Sequence, residues 1–373
     1  MAYLGENIKK LGFGLMRLPM LGDEVDIEQT KQMVDRFMEE GFTYFDTAYG
    51  YLGGKSELAV AEALVKRYPR ESFQLATKLP PWAGAKTAEE ARQMFWTSLE
   101  RTQAGYFDFY LMHNLGNERT QLFEEYDLWN FALEQKKKGL IRHLGFSFHD
   151  TAEKLDEVLT KHPEAEFVQL QINYADWESA GVQSRLCYET ARRHGKPVII
   201  MEPVKGGNLA NLPEAAASIF RAANPDVSQS SWAIRFAASL EGLIAVLSGM
   251  STIEQMEDNL STMRDFKPLS DEERAVVANA KAALDAIPRI PCTNCSYCTK
   301  GCPQNIPIPG IFRVVNDLRT YNNLTSARGS YGWATSKGGK ASDCIQCGQC
   351  EAACPQHISI IEELRKAAET LEK

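Results

Sequence analysis

Short apolar runs alternate with amphipathic helical patterns along most of the chain. The runs predict strands at residues 11–17, 43–46, 73–78, 107–112, 141–146, 167–171, 198–201 and 243–247. The helical patterns lie at residues 27–40, 56–68, 87–103, 120–138, 151–161, 183–194, 213–238 with a break near Pro225, and 252–263. Because the runs are nearly continuous in apolar residues, they are typical of parallel strands that are covered on both faces.

The strict alternation of strand and helix defines the fold class. Eight strand–helix units in about 265 residues are what a closed (β/α)8 barrel, or TIM barrel, of the α/β class requires. The alternative is an open doubly wound sheet. No Gly-x-Gly-x-x-Gly turn supports that alternative, so the pattern favours the barrel.

Length and cysteine placement predict a second domain. The 373 residues exceed the roughly 250 that a barrel needs. Eight of the nine cysteines lie between Cys292 and Cys354, which predicts a barrel at residues 1–285 and a different domain at 286–373. The remaining cysteine, Cys187, lies in a predicted helix and is expected to be a buried structural thiol.

Charge and hydropathy exclude several partners. The net charge of −8 argues against nucleic acid and anionic membrane, since both need a basic face. The first residues lack the apolar run of a signal peptide, and no stretch reaches the roughly 18 apolar residues of a membrane span. The sequence therefore predicts a cytoplasmic protein.

Three reactive side chains fall at the ends of consecutive predicted strands. Asp46 ends the second strand, Lys78 ends the third, and His113 follows the fourth. In a parallel barrel these positions share the C-terminal face, where barrel active sites are built. Each has a structural alternative: a capping aspartate, a lysine whose ammonium reaches solvent, or a histidine hydrogen-bonded at a strand end. Their coincidence at three successive strands favours a site.

A tyrosine from the loop after the second strand, which carries Tyr49 and Tyr51, completes a usable acid. A free tyrosine has a pKa near 10, which is too high for efficient proton donation near neutrality. The ammonium of Lys78 is expected to lower that pKa, and Asp46 to keep the lysine charged. His113 would orient a carbonyl oxygen toward the phenol.

This arrangement resembles the catalytic tetrad of the aldo-keto reductases over residues 11–259. The residues that carry the resemblance are Asp46, Tyr51, Lys78 and His113. The resemblance implies that Tyr51 is the general acid and Tyr49 a structural neighbour. It also implies hydride transfer, without a metal, between NAD or NADP and a small-molecule carbonyl or alcohol.

The same resemblance implies a set of nicotinamide cofactor contacts. They are Gly14, Ser147, Gln171, Pro203, Lys205, Gly206, Gly207, Gly249, Met250, Gln255 and Asn259. Ser147 and Gln171 match contacts to the nicotinamide amide, with Gln169 as a substitute for Gln171. Phe148 replaces the asparagine usual in the family. Glycines in the loop at residues 203–207 would let the backbone approach phosphate.

The resemblance also bears on the choice between NAD and NADP. The family's lysine and arginine for the 2′-phosphate fall on Gly249 and Gln255, neither of which is charged, while Asn259 matches an adenine contact. Without a cation, a 2′-phosphate loses its strongest partner. The sequence therefore predicts that NADH is used at least as well as NADPH.

The eight clustered cysteines form two copies of the run Cys-x-x-Cys-x-x-Cys-x-x-x-Cys-Pro. In bacterial ferredoxins with this spacing, the fourth cysteine of each run binds the other cluster. Two 4Fe-4S clusters are therefore predicted, with crossed ligands. The first would be held by Cys292, Cys295, Cys298 and Cys354, and the second by Cys344, Cys347, Cys350 and Cys302. Structural zinc is the alternative, and disulfides are a weaker one without an export signal.

The segment between the two runs is 41 residues long, more than in small ferredoxins. A helix is predicted at residues 311–318 and a glycine-rich loop at 328–340. This longer form resembles the helical dicluster modules of respiratory iron–sulfur subunits. A mainly helical, ferredoxin-like domain is therefore expected.

Together these features predict an oxidoreductase that resembles the iron–sulfur branch of the aldo-keto reductases. The alternative is an electron carrier or scaffold whose barrel is inactive. Nicotinamide gives two electrons as hydride, whereas each cluster takes one. Either the clusters are structural, or a flavin or a redox partner protein links the two halves.

Overall fold

Eight parallel strands close into a barrel in the computed structural model, which describes residues 3–116 and 118–373. They are β1 (Leu11–Gly14), β2 (Tyr44–Asp46), β3 (Gln74–Leu79), β4 (Phe107–Leu115), β5 (Ile141–Phe148), β6 (Phe167–Gln171), β7 (Val198–Met201) and β8 (Leu243–Gly249). Because β1 pairs with both β2 and β8, the sheet closes on itself. The predicted TIM barrel is confirmed, and the open doubly wound sheet is wrong.

Helices follow the barrel strands in the predicted order. They are α1 (Ile27–Glu39), α2 (Lys55–Val60), α3 (Ala88–Thr102), α4 (Arg119–Glu125), α5 (Leu128–Lys137), α6 (Ala152–Lys161), α7 (Ser184–Arg193), α8 (Glu214–Ala223), α9 (Gln229–Ala238), α10 (Ile253–Arg264) and α11 (Asp271–Asp285). A short antiparallel hairpin pairs Met20–Leu21 with Glu24–Val25. In the described part of the chain, no helix combines the length and the apolar character needed to cross a membrane.

The structure divides one predicted helix and shortens another. The helix expected at 120–138 is two helices, α4 and α5, because Asp127 adopts a left-handed backbone with φ of 51°. The helix expected at 56–68 is α-helical only over α2 and continues as a π-type turn at Ala61–Val65. A side-chain period of 3.6 cannot distinguish these cases, since it continues across both breaks.

Two apolar layers hold the barrel together. Phe37, Phe45 and Phe73 lie in the layer between strands and helices, where Phe37 and Phe45 pack edge-on with ring centroids 5.2 Å apart. Tyr44 and Phe109 belong to the cluster that fills the barrel interior. Neighbouring residues of one strand point to opposite faces, which is why Tyr44 and Phe45 enter different layers. Cys187 of α7 is buried as predicted, and burial raises the pKa of its thiol to about 12.

Asp108 is a buried carboxylate near the start of strand β4. Its side chain is 4% exposed and accepts hydrogen bonds from Arg70 at 2.7 Å, Arg142 at 2.8 Å and the Leu75 backbone N–H at 3.0 Å. Removing one partner of a buried ion pair leaves the other charge uncompensated. Asp108→Ala is therefore expected to lower the free energy of unfolding by about 3 kcal/mol in urea denaturation.

The matched control for this prediction is Asp156→Ala. Asp156 also accepts from an arginine, Arg193, at 2.9 Å, but its side chain is 47% exposed. Exposed ion pairs contribute about 0–1 kcal/mol. Equal losses in the two variants would contradict the structural role given to Asp108.

The chain forms two compact units. The first contains Met1–Lys205 and Ser230–Arg274, and the second contains Gly206–Gln229 and Ala275–Lys373. The helices of the second unit's C-terminal part are α12 (Tyr297–Lys300), α13 (Ile308–Tyr321), α14 (Leu324–Ala334), α15 (Gln349–Ala352) and α16 (Ile360–Leu371). The mainly helical character expected of this region is confirmed. The domain boundary at 285/286 stays a prediction.

The predicted glycine-rich loop is partly wrong, because residues 328–334 belong to α14. Gly329 and Gly332 each weaken a helix by about 1 kcal/mol relative to alanine. The helix forms nonetheless, since Ala327 and Tyr331 are buried in the core of the second unit. Tertiary packing therefore outweighs the local propensity of the two glycines.

Candidate functional site

Three of the predicted catalytic side chains contact one another at the C-terminal face of the barrel. The Lys78 ammonium donates to Asp46 Oδ1 at 2.5 Å and to the Thr47 carbonyl at 2.7 Å. Its Nζ also lies 3.2 Å from the hydroxyl of Tyr51. Strand register produces this contact, because Asp46 of β2 pairs with Ala76 of β3, two residues before Lys78. The lysine is 1% exposed, so the contact is almost free of solvent.

The loop that carries Tyr51 is fixed from outside by Arg101 of α3. The loop turns through left-handed conformations at Leu52 (φ 51°), Gly53 (φ 64°) and Gly54 (φ 93°). Arg101 donates to the Tyr49 carbonyl at 3.0 Å and lies over the Tyr49 ring, 4.6 Å from its centroid. Sequence reasoning missed Arg101, since no local signal links it to a loop about 50 residues earlier.

The electrostatics of the buried group differ in one respect from the sequence prediction. Burial opposes the charge of Lys78, but Asp46 and then Tyr51 outweigh it, so the pKa of Lys78 lies above its ordinary value. Burial raises the pKa of Asp46 despite the neighbouring ammonium. Burial also raises the pKa of Tyr51, and the charge of Lys78 offsets only part of that rise. Lys78 lowers the pKa of Tyr51 as the sequence predicts. The predicted net lowering is nevertheless wrong, because the rise caused by desolvation is larger.

His113 lies beside Tyr51 near the end of β4. The two rings are 6.0 Å apart between centroids and nearly perpendicular, at 79°. Burial and then the charge of Lys78 hold the pKa of His113 well below its ordinary value, so the imidazole is neutral near pH 7. The ring of Trp82 is 5.4 Å from the imidazole, and its indole N–H donates to the His113 carbonyl at 2.8 Å. A neutral imidazole can donate a hydrogen bond to a carbonyl oxygen.

The side chains predicted to bind the nicotinamide amide lie on β5 and β6. Ser147 is buried, and its hydroxyl oxygen accepts from the Asn114 backbone N–H at 2.7 Å. Gln171 donates to Asp176 at 3.1 Å, which leaves its carbonyl oxygen as an acceptor. Among residues 3–116 and 118–373, Gln169 Oε1 is buried without a hydrogen-bond partner. A buried acceptor without a partner is costly, so an amide donor from a ligand fits this position.

The loop after β7 contains an ion pair, between Lys205 and Asp176, that the sequence did not indicate. Lys205 donates to both carboxylate oxygens of Asp176, at 2.7 and 2.9 Å, so its charge is already paired. Pro203 is buried beside it, before the turn at Lys205–Gly207. Gly206 and Gly207 belong to the second compact unit.

The loop after β8 holds the remaining predicted cofactor contacts. Gly249 pairs in register with Gly14 at the end of β1. Met250 is buried, and Asn259 is buried with its amide donating to Ser248 Oγ at 2.7 Å. Gln255 accepts from the Ser251 backbone N–H at 2.7 Å, which caps the start of α10.

Arg17 is a residue of this region that sequence reasoning missed. A Cβ atom at Gly249 would lie 3.3 Å from Arg17 Cδ, so the arginine side chain crosses the position where a larger residue 249 would begin. Ser251 Oγ donates to the Arg17 carbonyl at 2.8 Å and ties the two loops together. Arg17 is exposed, and in the described ranges its guanidinium forms no ion pair.

The cysteines of the second unit line two separate cavities in crossed sets. One cavity is bordered by Cys292, Cys295, Cys298 and Cys354. Another is bordered by Cys302, Cys344, Cys347 and Cys350. Each run therefore contributes its first three cysteines to one cavity and its fourth to the other. These are the sets that the spacing predicts for two clusters.

The geometry of these cavities bears on the zinc alternative. Across residues 3–116 and 118–373, no three Cys, His, Asp or Glu side chains converge closely enough to hold a single metal ion. Zinc needs its sulfur ligands at about 2.3 Å from one point. Four cysteines around a cavity suit a multi-atom cluster better. None of the nine cysteines, all of which lie in the described residues, is joined to another by a disulfide bond, so the disulfide alternative is wrong.

The barrel with its buried Asp–Tyr–Lys group defines an oxidoreductase class, and comparison of the sequence agrees. The pattern of the Aldo/keto reductase family matches residues 10–281, and the chain belongs to this family. The pattern of the 4Fe-4S dicluster domain matches residues 291–359.

Curated relatives match the barrel over different lengths. The uncharacterized oxidoreductase YqkF of Bacillus subtilis is 23% identical over 308 residues, covering 74% of this chain and 94% of YqkF. The methylglyoxal reductase YeaE of Escherichia coli is 29% identical over 262 residues, covering 67% of this chain and 86% of YeaE. The probable aldo-keto reductase 1 of Glycine max is 29% identical over 184 residues, and this match spans 53% of its length.

Solved structures share the fold of the barrel. The aldo-keto reductase AKR11C1 of Bacillus halodurans, in a holo form, superposes with a TM-score of 0.60 at 23% identity, covering 75% of this chain and 95% of that one. An aldo-keto reductase of Klebsiella pneumoniae in complex with NADPH gives a TM-score of 0.57 at 21% identity, covering 73% of this chain and 92% of that one.

Proposed function

We propose that the barrel transfers hydride between NAD(P)H and a small-molecule carbonyl compound. The observation that carries this proposal is the buried contact of Lys78 with both Asp46 and Tyr51 at the C-terminal face. A bound reduced nicotinamide supplies the hydride, which adds to the carbonyl carbon. The chain's own residues then have to manage the charge on the carbonyl oxygen and one proton.

Tyr51 is the proposed proton donor to that oxygen. Its hydroxyl proton passes to the developing alkoxide, and the ammonium of Lys78, 3.2 Å from the phenol oxygen, stabilises the phenolate that remains. Asp46 holds the ammonium in place through the 2.5 Å contact. Burial raises the pKa of Tyr51, and the ammonium of Lys78 offsets part of that rise, so Lys78 favours the transfer of the proton. Neutral His113 orients the carbonyl oxygen by donating one N–H.

The cofactor contacts proposed for the nicotinamide end are Ser147, Gln171 and the free oxygen of Gln169. The remaining contacts proposed within the first compact unit are Gly14, Pro203, Gly249, Met250, Gln255 and Asn259. Lys205 is an exception, since its pairing with Asp176 leaves less charge for a phosphate. The solved aldo-keto reductase of Klebsiella pneumoniae in complex with NADPH supports the same class of cofactor.

We expect Arg17 to supply the charge that is missing at Gly249 and Gln255. An unpaired guanidinium beside Gly249 can bind a 2′-phosphate by charge-assisted hydrogen bonds. Arg17→Gln should lower kcat/KM with NADPH by about tenfold, equivalent to about 1.4 kcal/mol, and leave the value with NADH unchanged. Steady-state kinetics with both cofactors measure the ratio. If the ratio is the same in wild type and variant, Arg17 does not bind the 2′-phosphate. A wild-type preference of more than about tenfold for NADPH would contradict the sequence expectation that NADH serves at least equally well.

The two cysteine-lined cavities are proposed to hold two 4Fe-4S clusters, each of which carries one electron when bound. Each set of ligands includes one exposed cysteine, Cys295 in the first and Cys347 in the second, beside one buried cysteine, Cys298 or Cys350. Each site therefore has an edge that faces solvent. A hydride carries two electrons, whereas each cluster takes one. We therefore propose that a redox partner protein exchanges electrons with the clusters at this edge.

Anaerobically purified protein tests the function directly. Iron, sulfide and flavin assays with an absorption spectrum establish the cofactors. Methylglyoxal and phenylglyoxylate are then supplied with NADH or NADPH, and the alcohol product is quantified. We expect one product molecule for each reduced nicotinamide consumed. Intact clusters without any nicotinamide-dependent product would instead favour the alternative, an electron carrier with an inactive barrel.

A further inference from the structure

Arg119, the first residue of α4, is a half-buried cation without a carboxylate partner. Its Nε donates to the Asn114 carbonyl at 2.9 Å, which fixes the direction of the guanidinium. In the described ranges, no Asp or Glu oxygen lies within ion-pair distance of it. Arg70 and Arg101, by contrast, both reach a buried carboxylate. The two terminal nitrogens of Arg119 donate to none of the described residues.

This arrangement is costly unless an anion joins it. Burial lowers the pKa of Arg119, and the more distant charge of Asp150 opposes that effect only in part. A cation that has lost water without gaining a partner destabilises the folded state. The terminal nitrogens of an arginine form a planar fork that matches a carboxylate. The site therefore has the donors, but not the acceptor, of a charge-assisted pair.

The position of Arg119 relates it to the proposed active site. Asn114, to which it is anchored, directly follows His113 and adopts a left-handed backbone with φ of 61°. The charge of Arg119 acts on the His113 imidazole. Trp82, which is 37% exposed, lies over that imidazole. Arg119, His113 and Trp82 are thus grouped on the barrel face where the carbonyl is proposed to react.

We propose that Arg119 binds a carboxylate of the substrate, so that the preferred substrates are oxo acids rather than neutral aldehydes or ketones. This inference rests on the proposed reductase function. The carbonyl would lie between Tyr51 and His113, while the carboxylate accepts hydrogen bonds from the terminal nitrogens of Arg119. The indole of Trp82 provides an apolar wall beside the carbonyl.

The test compares an acid with its neutral ester. Phenylglyoxylate and methyl phenylglyoxylate are reduced by the full-length holoprotein and by Arg119→Gln. A charge-assisted bond contributes about 1.5–3 kcal/mol, so kcat/KM for the acid should fall roughly 10- to 100-fold. The value for the ester should stay within about twofold. Arg119→Lys, which keeps the charge but loses the fork, should be intermediate.

Arg185→Gln is the matched control, because Arg185 of α7 is partly exposed and pairs with Glu178 and Glu189. It should change neither substrate. Equal losses for acid and ester in Arg119→Gln would mean that Arg119 only supports the fold. Equal use of the acid by wild type and Arg119→Gln would overturn the proposal.

Calorimetric titration with phenylglyoxylate separates this inference from the proposed function. If wild type binds the acid and Arg119→Gln does not, the anion site stands even when neither compound is reduced. That outcome would contradict the reductase function alone. If both proteins bind the acid equally, or neither binds it, the anion site is wrong whether or not the ester is reduced.

Discussion

Replacing Tyr51 by phenylalanine is expected to lower turnover of a carbonyl substrate by about 10²–10⁴-fold, the usual contribution of general acid catalysis. The phenol oxygen lies 3.2 Å from the Lys78 ammonium in a buried group, and no other hydroxyl is proposed to reach the carbonyl oxygen. Phenylalanine keeps the ring that packs beside His113. Cofactor affinity should therefore barely change, and fluorescence titration beside steady-state kinetics measures both quantities.

Tyr49→Phe is the matched control for this prediction. Arg101 holds Tyr49 through its backbone carbonyl and its ring face, and phenylalanine retains both contacts. Near-wild-type turnover is expected. A collapse in Tyr49→Phe with normal turnover in Tyr51→Phe would show that the other tyrosine of the loop is the acid.

Cys302→Ala is expected to damage the cluster built on Cys344, Cys347 and Cys350, while the cluster of its own run is better preserved. The reason is that Cys302 borders the second cavity and not the first. Iron counting and electron paramagnetic resonance of the reduced protein distinguish the two sites. Because ligand binding and folding are coupled in such modules, partial unfolding of the second unit should accompany the loss.

The reciprocal variant is Cys354→Ala, which should damage the cluster of Cys292, Cys295 and Cys298. Cys187→Ala is the control outside the module, and its iron content should equal that of wild type. Two intact clusters in Cys302→Ala would contradict the crossed ligand sets. Zinc in place of iron in anaerobically purified wild type would contradict the clusters themselves.

The barrel and the crossed cysteine sets could be read from the sequence because their signals are local. A parallel strand covered on both faces is apolar throughout, and its helix shows a period of 3.6, so each unit is visible in about 30 residues. The cysteine spacing is equally local within each run. Asp46, Lys78 and His113 could be grouped because parallel strands bring their C-terminal ends to one face.

Other features required the folded chain. The sequence gives no sign that Arg101 holds the tyrosine loop, that Arg17 crosses Gly249, or that Arg119 lacks a carboxylate. The first two depend on contacts between residues that are distant in sequence and become neighbours only in the folded chain. The third depends on which acidic side chains folding brings near Arg119, and none of the described ones lies within ion-pair distance. The helix α14 forms against the propensity of its glycines for the same reason, since its buried face contacts residues from other helices.

The sequence by itself determined the eight strand–helix units of the barrel and which reactive groups share a face. The tertiary structure decided how far burial and neighbouring charges shift the pKa of each of these groups. The charge of Lys78 lowers the pKa of Tyr51, but the net rise in that pKa follows from the larger effect of burial. Desolvation depends on all surrounding atoms at once, whereas a charge–charge contact needs only two residues. That is why residue patterns predict partners well and the strength of their interaction poorly.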